Sequence, residues 1–354
     1  MKVRSTILAL CAVAAAVAGG NAVAAQRHFV ASTGNDIDPC SITLPCRSFA
    51  AAALLVDPNG EIIVQDSAGY GFVNVTKPLS ILSPYGVYAG ISVFAGTDGV
   101  TINAPGGGVR LTGVYINGQG GSIGINVLNA SKVTVEGSSV TNMASHGFSA
   151  TSASARIVIR NTVFRDNGGL GVTITGAQQT TIDAVHADRN ALGGFSVVDT
   201  NGTMSRSVSN DNGGTGVFVS TPSLTTTTMA IDDHASSNNT GNGIDAQVFS
   251  AAAVYVTVSR SAMSGNTQHG AHAMTSGQGT ARITLSYSEV MANGTAGATA
   301  DTGTAFVIVH GSTITQNPIG VQGLSLGVVR SAGNNSITNN VTDLGAGYVA
   351  YVTN

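Results

Sequence analysis

Residues 167–174 read NGGLGVTI, residues 190–197 read NALGGFSV and residues 212–219 read NGGTGVFV. Each octet opens on asparagine, places a glycine four residues later and follows it with an apolar–x–apolar alternation. The same unit recurs outward, around Gly124, Gly147, Gly171, Gly194, Gly216, Gly243, Gly270, Gly297 and Gly320. The spacings are 23, 24, 23, 22, 27, 27, 27 and 23 residues. A second alternation precedes the glycine, as in Ile157–Ile159, Val256–Val258 and Val307–Val309. Period-2 alternation over a few residues, punctuated by Gly and Asn, reads as short strands with one buried face. A period of this length marks a solenoid, in which each coil buries its apolar face against its neighbours.

The asparagine is as regular as the glycine. Asn167, Asn190, Asn212, Asn239, Asn266 and Asn293 stand four residues before their glycine, Asn142 five before and Asn317 three before. Coils stacked at the strand spacing of about 4.8 Å bring these amides into hydrogen-bonding reach down a column. We read them as a structural ladder and assign none to ligand binding. Fixed leucines are missing, which disfavours a leucine-rich repeat, and the nonapeptide of calcium-binding β-rolls does not occur. A three-sided parallel coil remains.

Composition agrees. Only 9% of the 354 residues are charged, against about 25% ordinarily, while glycine reaches 46 residues. The 43% hydrophobic content is ample for a core. Net charge −3 argues against a basic nucleic-acid-binding surface. There is no Trp, and Phe and Tyr number 10 and 8, so a helical globule filled by large aromatics is disfavoured.

The repeat with its asparagine ladder resembles the right-handed parallel β-helix of the pectin lyase-like superfamily, closest to its uncharacterised bacterial repeat proteins. The resemblance covers roughly residues 60–354. It implies an all-β, right-handed parallel β-helix solenoid with a short N-terminal capping helix. It also implies a partner of polysaccharide or cell-envelope character.

The segments before the coils fit that plan. Lys2 and Arg4, the apolar run Ile7–Val17 and small residues to Ala25 read as a secretory signal over residues 1–25. Its removal leaves 13 basic and 18 acidic residues, net −5, and two cysteines, Cys40 and Cys46. With five residues between them in an exported chain, these read as a disulfide. Residues 46–56, CRSFAAAALLV, are helical in composition and stop before Asp57-Pro58-Asn59-Gly60. Residues 26–59 thus form a disulfide loop and capping helix, and residues 60–354 the β-helix. No later stretch is apolar for long enough to span a bilayer. The expected destination is secreted or periplasmic, or the cell surface.

Ladder register shows where the charges stack. Asp166, Arg189 and Asp211 share one column, Arg206, Asp233 and Arg260 another, and Arg160 and Asp183 a third. Alternating signs between adjacent strands read as solvated ion ladders. The column two residues after the repeat glycine is mostly bland, except for Asp245 and His272, and Asp301 follows on the next coil. These three fall on the coils that lengthen to 27 residues. A carboxylate beside an imidazole serves acid–base chemistry, so Asp245, His272 and Asp301 are the candidate catalytic residues. Gln247 and His269 are candidate substrate contacts, His269 because Gln268-His269-Gly270 echoes the Gly-His-Gly of polygalacturonases, as Ser145-His146-Gly147 also does. The paired acids that those hydrolases need are missing, since the coils before His269 carry Asn242 and Thr215 at that column. No metal cofactor is expected, because calcium takes six to eight oxygens and Asp245 with Asp301 is too thin a set.

Two readings follow. The first is an exported carbohydrate-binding or structural, adhesive envelope protein without turnover. The alternative is a divergent polysaccharide-active lyase, epimerase or hydrolase using the Asp245/His272/Asp301 face.

Overall fold

A computed structural model of the chain describes residues 26–152 and 155–351. The signal residues 1–25 lie outside the described residues. The backbone winds as a parallel β-solenoid of about 11 turns with one short helix. Three strand-bearing faces alternate along each full coil. The first carries the strands after the repeat glycines, such as Thr215–Thr221, Ile244–Val248, His269–Thr275 and Ala296–Asp301. The second carries strands such as Thr227–Asp232, Ala253–Ser259, Thr280–Ser286 and Ala305–His310. The third carries three-residue strands such as Ala235–Ser237, Ala262–Ser264 and Glu289–Met291. All pairings between strands are parallel, and each repeat pairs residue for residue with the next: Val217 with Ile244, Ile244 with Ala271, Ala271 with Ala298. The inward positions are Val, Ile, Ala and Phe with almost no exposure.

The asparagine ladder is continuous. Nδ2 of Asn167 donates to Oδ1 of Asn190 at 2.8 Å, and the chain of bonds runs on through Asn212, Asn239, Asn266 and Asn293 to Asn317. Each Oδ1 also accepts a backbone N–H from the coil before, as Asn190 N–H donates to Asn212 Oδ1 at 2.9 Å. Two details correct the sequence reading. Asn142 is outside the column: Met143 holds that slot, with its N–H on Asn167 Oδ1, and Asn142 turns the chain at φ 59°. Asn340 extends the column beyond Asn317 at 3.0 Å. There Asp343 Oδ1 accepts both the Asn340 N–H and its Nδ2, each at 3.0 Å.

A second ladder runs five residues earlier in each coil, through Ser138, Thr162, Ser207, Ser261, Ser288 and Ser312. Each hydroxyl accepts a backbone N–H from the preceding coil and donates to the carbonyl two residues before it. Ser261 Oγ, for example, takes the His234 N–H at 3.1 Å and donates to Ser259 O at 2.7 Å. Val185 and His234 interrupt the series, and Asn335 ends it.

The repeat glycines are not the tight-turn residues. None of them has positive φ, whereas Asp166, Arg189 and Asp211 at one corner and Arg206, Asp233 and Arg260 at another do. Glycine is required because the next coil presses on it: a Cβ at Gly216 would lie 2.1 Å from Ser236 Oγ and 2.8 Å from Asn239 Nδ2.

One pair of the expected ion ladders forms, and the arginines of the other corner column take different partners. Arg189 grips Asp166 with two bonds of 2.8 and 3.1 Å. Arg206 reaches to Asp183 instead of Asp233, at 2.6 Å, and Arg260 to Asp232. A left-handed turn residue projects off the corner, so its guanidinium meets the carboxylate at the end of the previous coil's strand.

At the N-terminal end, Cys40 and Cys46 are disulfide-bonded, with Cα atoms 4.6 Å apart. The helix Phe49–Leu55 begins where Ser48 Oγ accepts the Ala51 N–H at 3.2 Å, and it buries Phe49, Ala52 and Ala53. Phe49 packs on Tyr70 with ring centroids 5.1 Å apart.

Candidate functional site

The outward column of the first face is recessed, not exposed. Asp245 is 3% exposed, His272 8% and Thr299 0%. Asp245 stands on Ile244–Val248 and His272 directly above it on His269–Thr275, because these strands pair Asp245 with His272. The 27-residue coils put their added length between the first and second faces. The resulting loops stack on one another, with Ser250 Oγ donating to Ser223 O, and they stand beside the Gln247 end of the column.

Asp245 Oδ1 lies 3.0 Å from His272 Nδ1. Its Oδ2 accepts from Asn242 Nδ2 and from Gln247 Nε2, both at 2.9 Å. A buried carboxylate holding three donors is satisfied in its ionised form. Because a carboxylate only accepts, His272 carries a proton on Nδ1, and in the neutral ring Nε2 is then the lone pair. The His269 ring stacks on His272 with centroids 5.1 Å apart and planes 13° apart. His269 Nδ1 lies 3.0 Å from Thr299 Oγ1, which also receives Gln322 Nε2 at 3.3 Å. Burial, assisted by the neighbouring His272 and opposed by Asp245, pushes His269 down to about 4.

The structure thus brings together four of the five sequence candidates: Asp245, His272, His269 and Gln247. It does not bring in Asp301, which stacks on Met274 in the Gln247 column and makes no side-chain hydrogen bond or ion pair among the described residues. Sequence reasoning missed Asn242, Thr299 and Gln322. Thr299 and Gln322 share the column of Asp245 and His272, so the register was available, but an uncharged side chain there gave no signal. His146, the other Gly-His-Gly echo, accepts the Leu170 N–H on Nδ1 at 3.0 Å, and its titration is lowered by burial.

The residues do not fit calcium. Both Asp245 oxygens are engaged, Asp301 stands apart, and no three His, Cys, Asp or Glu side chains converge as a metal site among the described residues.

A family model described as "Right handed beta helix region" matches residues 98–253. The chain is a right-handed parallel β-helix. Solved structures sharing this β-helix include pectate lyase Pel9A, with TM-score 0.52 and 17% identity over 90% of this chain and 80% of that one. They also include the A-module of the Azotobacter vinelandii mannuronan C-5 epimerase AlgE4, with TM-score 0.58 and 14% identity over 84% and 89%. At such identities the likeness establishes the β-helix fold alone. No curated protein matches the chain in sequence. No helix among the described residues is long and apolar enough to cross a membrane.

Proposed function

We propose that this β-helix protein acts on a polysaccharide by proton abstraction, with His272 as the base and Asp245 as the group that orients it. The observation that carries this reading is the buried Asp245–His272 pair, its carboxylate held by two amides and the imidazole Nε2 without a partner among the described residues. An Asp on Nδ1 fixes the tautomer and stabilises the imidazolium that forms when Nε2 takes a proton. Hydrolysis is disfavoured because, among the described residues, no second carboxylate joins Asp245 at the site. The fold neighbours are named for pectate and for mannuronan, so a polyuronate is the substrate class we infer.

In an elimination, His272 Nε2 takes the proton on the carbon next to the carboxyl group. The C–H electron pair becomes a C=C bond as the neighbouring C–O glycosidic bond breaks. The leaving oxygen then recovers the proton from the imidazolium, so no co-reactant is needed. In an epimerisation the carbon takes a proton from solvent water on its other face, and the imidazolium returns its own proton to solvent.

The test is a panel of uronate and neutral polysaccharides with the mature chain. Release of unsaturated ends, or inversion read by NMR, that falls at least about a hundredfold in His272→Ala supports the base. Turnover unaffected by that change sinks it.

A second reading, glycan retention without turnover, is favoured by the exposed rings Phe72, Tyr85, Tyr88, Phe94 and Tyr115 in the first coils. Binding that survives His272→Ala, with no product, selects it. We also propose an extracytoplasmic location, supported by the disulfide and testable by cell fractionation.

A further inference from the structure

We propose that His269 is the second catalytic group of this site, a neutral imidazole whose Nε2–H meets the substrate oxygen that gains charge as His272 removes the proton. The inference rests on the base role argued above for His272.

Thr299 is fully buried. Its hydroxyl has two neighbours, Gln322 Nε2 at 3.3 Å and His269 Nδ1 at 3.0 Å. The Gln322 amide N–H donates into the hydroxyl oxygen, so the hydroxyl hydrogen has one acceptor, the Nδ1 of His269. A ring nitrogen that accepts carries no proton, and the neutral imidazole then holds its hydrogen on Nε2. His272 has the opposite tautomer, because its Nδ1–H is spent on Asp245. The rings stack 5.1 Å apart, and neither Nε2 has a partner among the described residues or is sealed from solvent. Two adjacent imidazoles, stacked on one another, therefore carry one Nε2 lone pair and one Nε2–H within a single site.

Neutrality of His269 matters as much as its tautomer. Burial and the neighbouring His272 hold its titration near 4, so at neutral pH it does not place a positive charge against the base. A neutral imidazole N–H, fixed in advance, stabilises charge developing on a carbonyl-type oxygen. The site then supplies an electrophile from its own side chains, in place of a cation that its residues do not fit. Thr299 and Gln322 are positioning residues, acting through His269.

Nitrogen-15 NMR of labelled histidines at pH about 7 tests the tautomers without any substrate. The expected spectrum shows His269 protonated on Nε2 and His272 on Nδ1, and Thr299→Val moves His269 towards the other tautomer. His269 protonated on Nδ1, or charged at pH 6, overturns the proposal. On the polyuronate that reports turnover, His269→Ala is expected to lower kcat by about 10²–10³ with little change in KM. His269→Gln, which keeps an N–H at a similar reach, recovers at least about tenfold of that loss. Wild-type kcat in His269→Ala together with loss in His272→Ala overturns His269 and leaves the base standing. Indifference to both changes, or no turnover on the whole panel, overturns both proposals.

Discussion

His234 occupies a position in the hydroxyl ladder where neighbouring coils place serine. It is 2% exposed, Nε2 lies 3.0 Å from Ser209 Oγ, and Nδ1 approaches the Ser207 backbone without a well-formed hydrogen bond. Burial pushes it down to about 3, and His269 to about 4, against about 6.5 in an unfolded chain. Between these values the unfolded chain binds protons that the fold refuses. Stability is therefore intact above about pH 6.5 and falls as pH drops towards 3–4, by ~1.4 kcal/mol per pH unit for each histidine. His234→Ser is expected to flatten that slope by about one proton, measured by urea unfolding from pH about 7 to about 4.5. It also costs stability at neutral pH, because the imidazole packs edge-on against Phe195 with centroids 6.2 Å apart. An unchanged slope would sink the assignment of acid sensitivity to this ring. His234 was illegible in the sequence for a physical reason: the serine column it breaks is also broken by Val185, so the five-residue offset from each asparagine is not continuous.

Columns of like side chains, more than individual strands, are the elements that hold the coils together. Asn239 Oδ1 accepts both the Asn212 backbone N–H at 3.1 Å and its Nδ2 at 2.9 Å. Asn239→Ala strands these two buried donors at about 1–3 kcal/mol each. Gly216→Ala drives a methyl into Ser236 Oγ and Asn239 Nδ2, an overpacking worth about 1–3 kcal/mol. Arg189→Ala removes a half-exposed ion pair and should cost at most about 1 kcal/mol. Chemical denaturation of the three variants checks the order, and a surface change as costly as the ladder change would contradict it. The ladder was legible because a constant four-residue offset survives variation in coil length. The pairing of Arg206 with Asp183 was not, because column membership says nothing about where a long side chain leaves a left-handed corner. Asp245 and His272 were legible as a column. Asp301 entered by standing on the next coil, although its place two residues further along the strand puts it in the Gln247 column.

The two ends of the described stack of coils are finished differently. The N-terminal end carries the disulfide loop and the helix Phe49–Leu55 over the first coils. The C-terminal coil ends in short strands, Ser336–Ile337, Thr342–Leu344 and Tyr348–Tyr351, with Val341 90%, Leu344 48% and Val349 46% exposed. In a stack where each coil touches only its neighbours, stability depends on having a neighbour on each side. Hydrogen exchange should accordingly be fastest beyond residue 335, slowest in the 27-residue coils and intermediate in the capped first coils. Equal protection at the two ends would show that the helix contributes nothing as a cap.

Every ladder amide donates its Nδ2–H in the same sense, from Asn167 towards Asn340. The aligned amides therefore sum to an electric dipole along the solenoid axis, positive at the C-terminal end, in the way peptide groups sum along a helix. Asp343 places a carboxylate at that positive pole, bonded to the last amide. The molecule has an electrical polarity as well as a chain direction, and Asp343→Asn, which keeps the acceptor oxygen and removes the charge, should speed hydrogen exchange in the terminal coil.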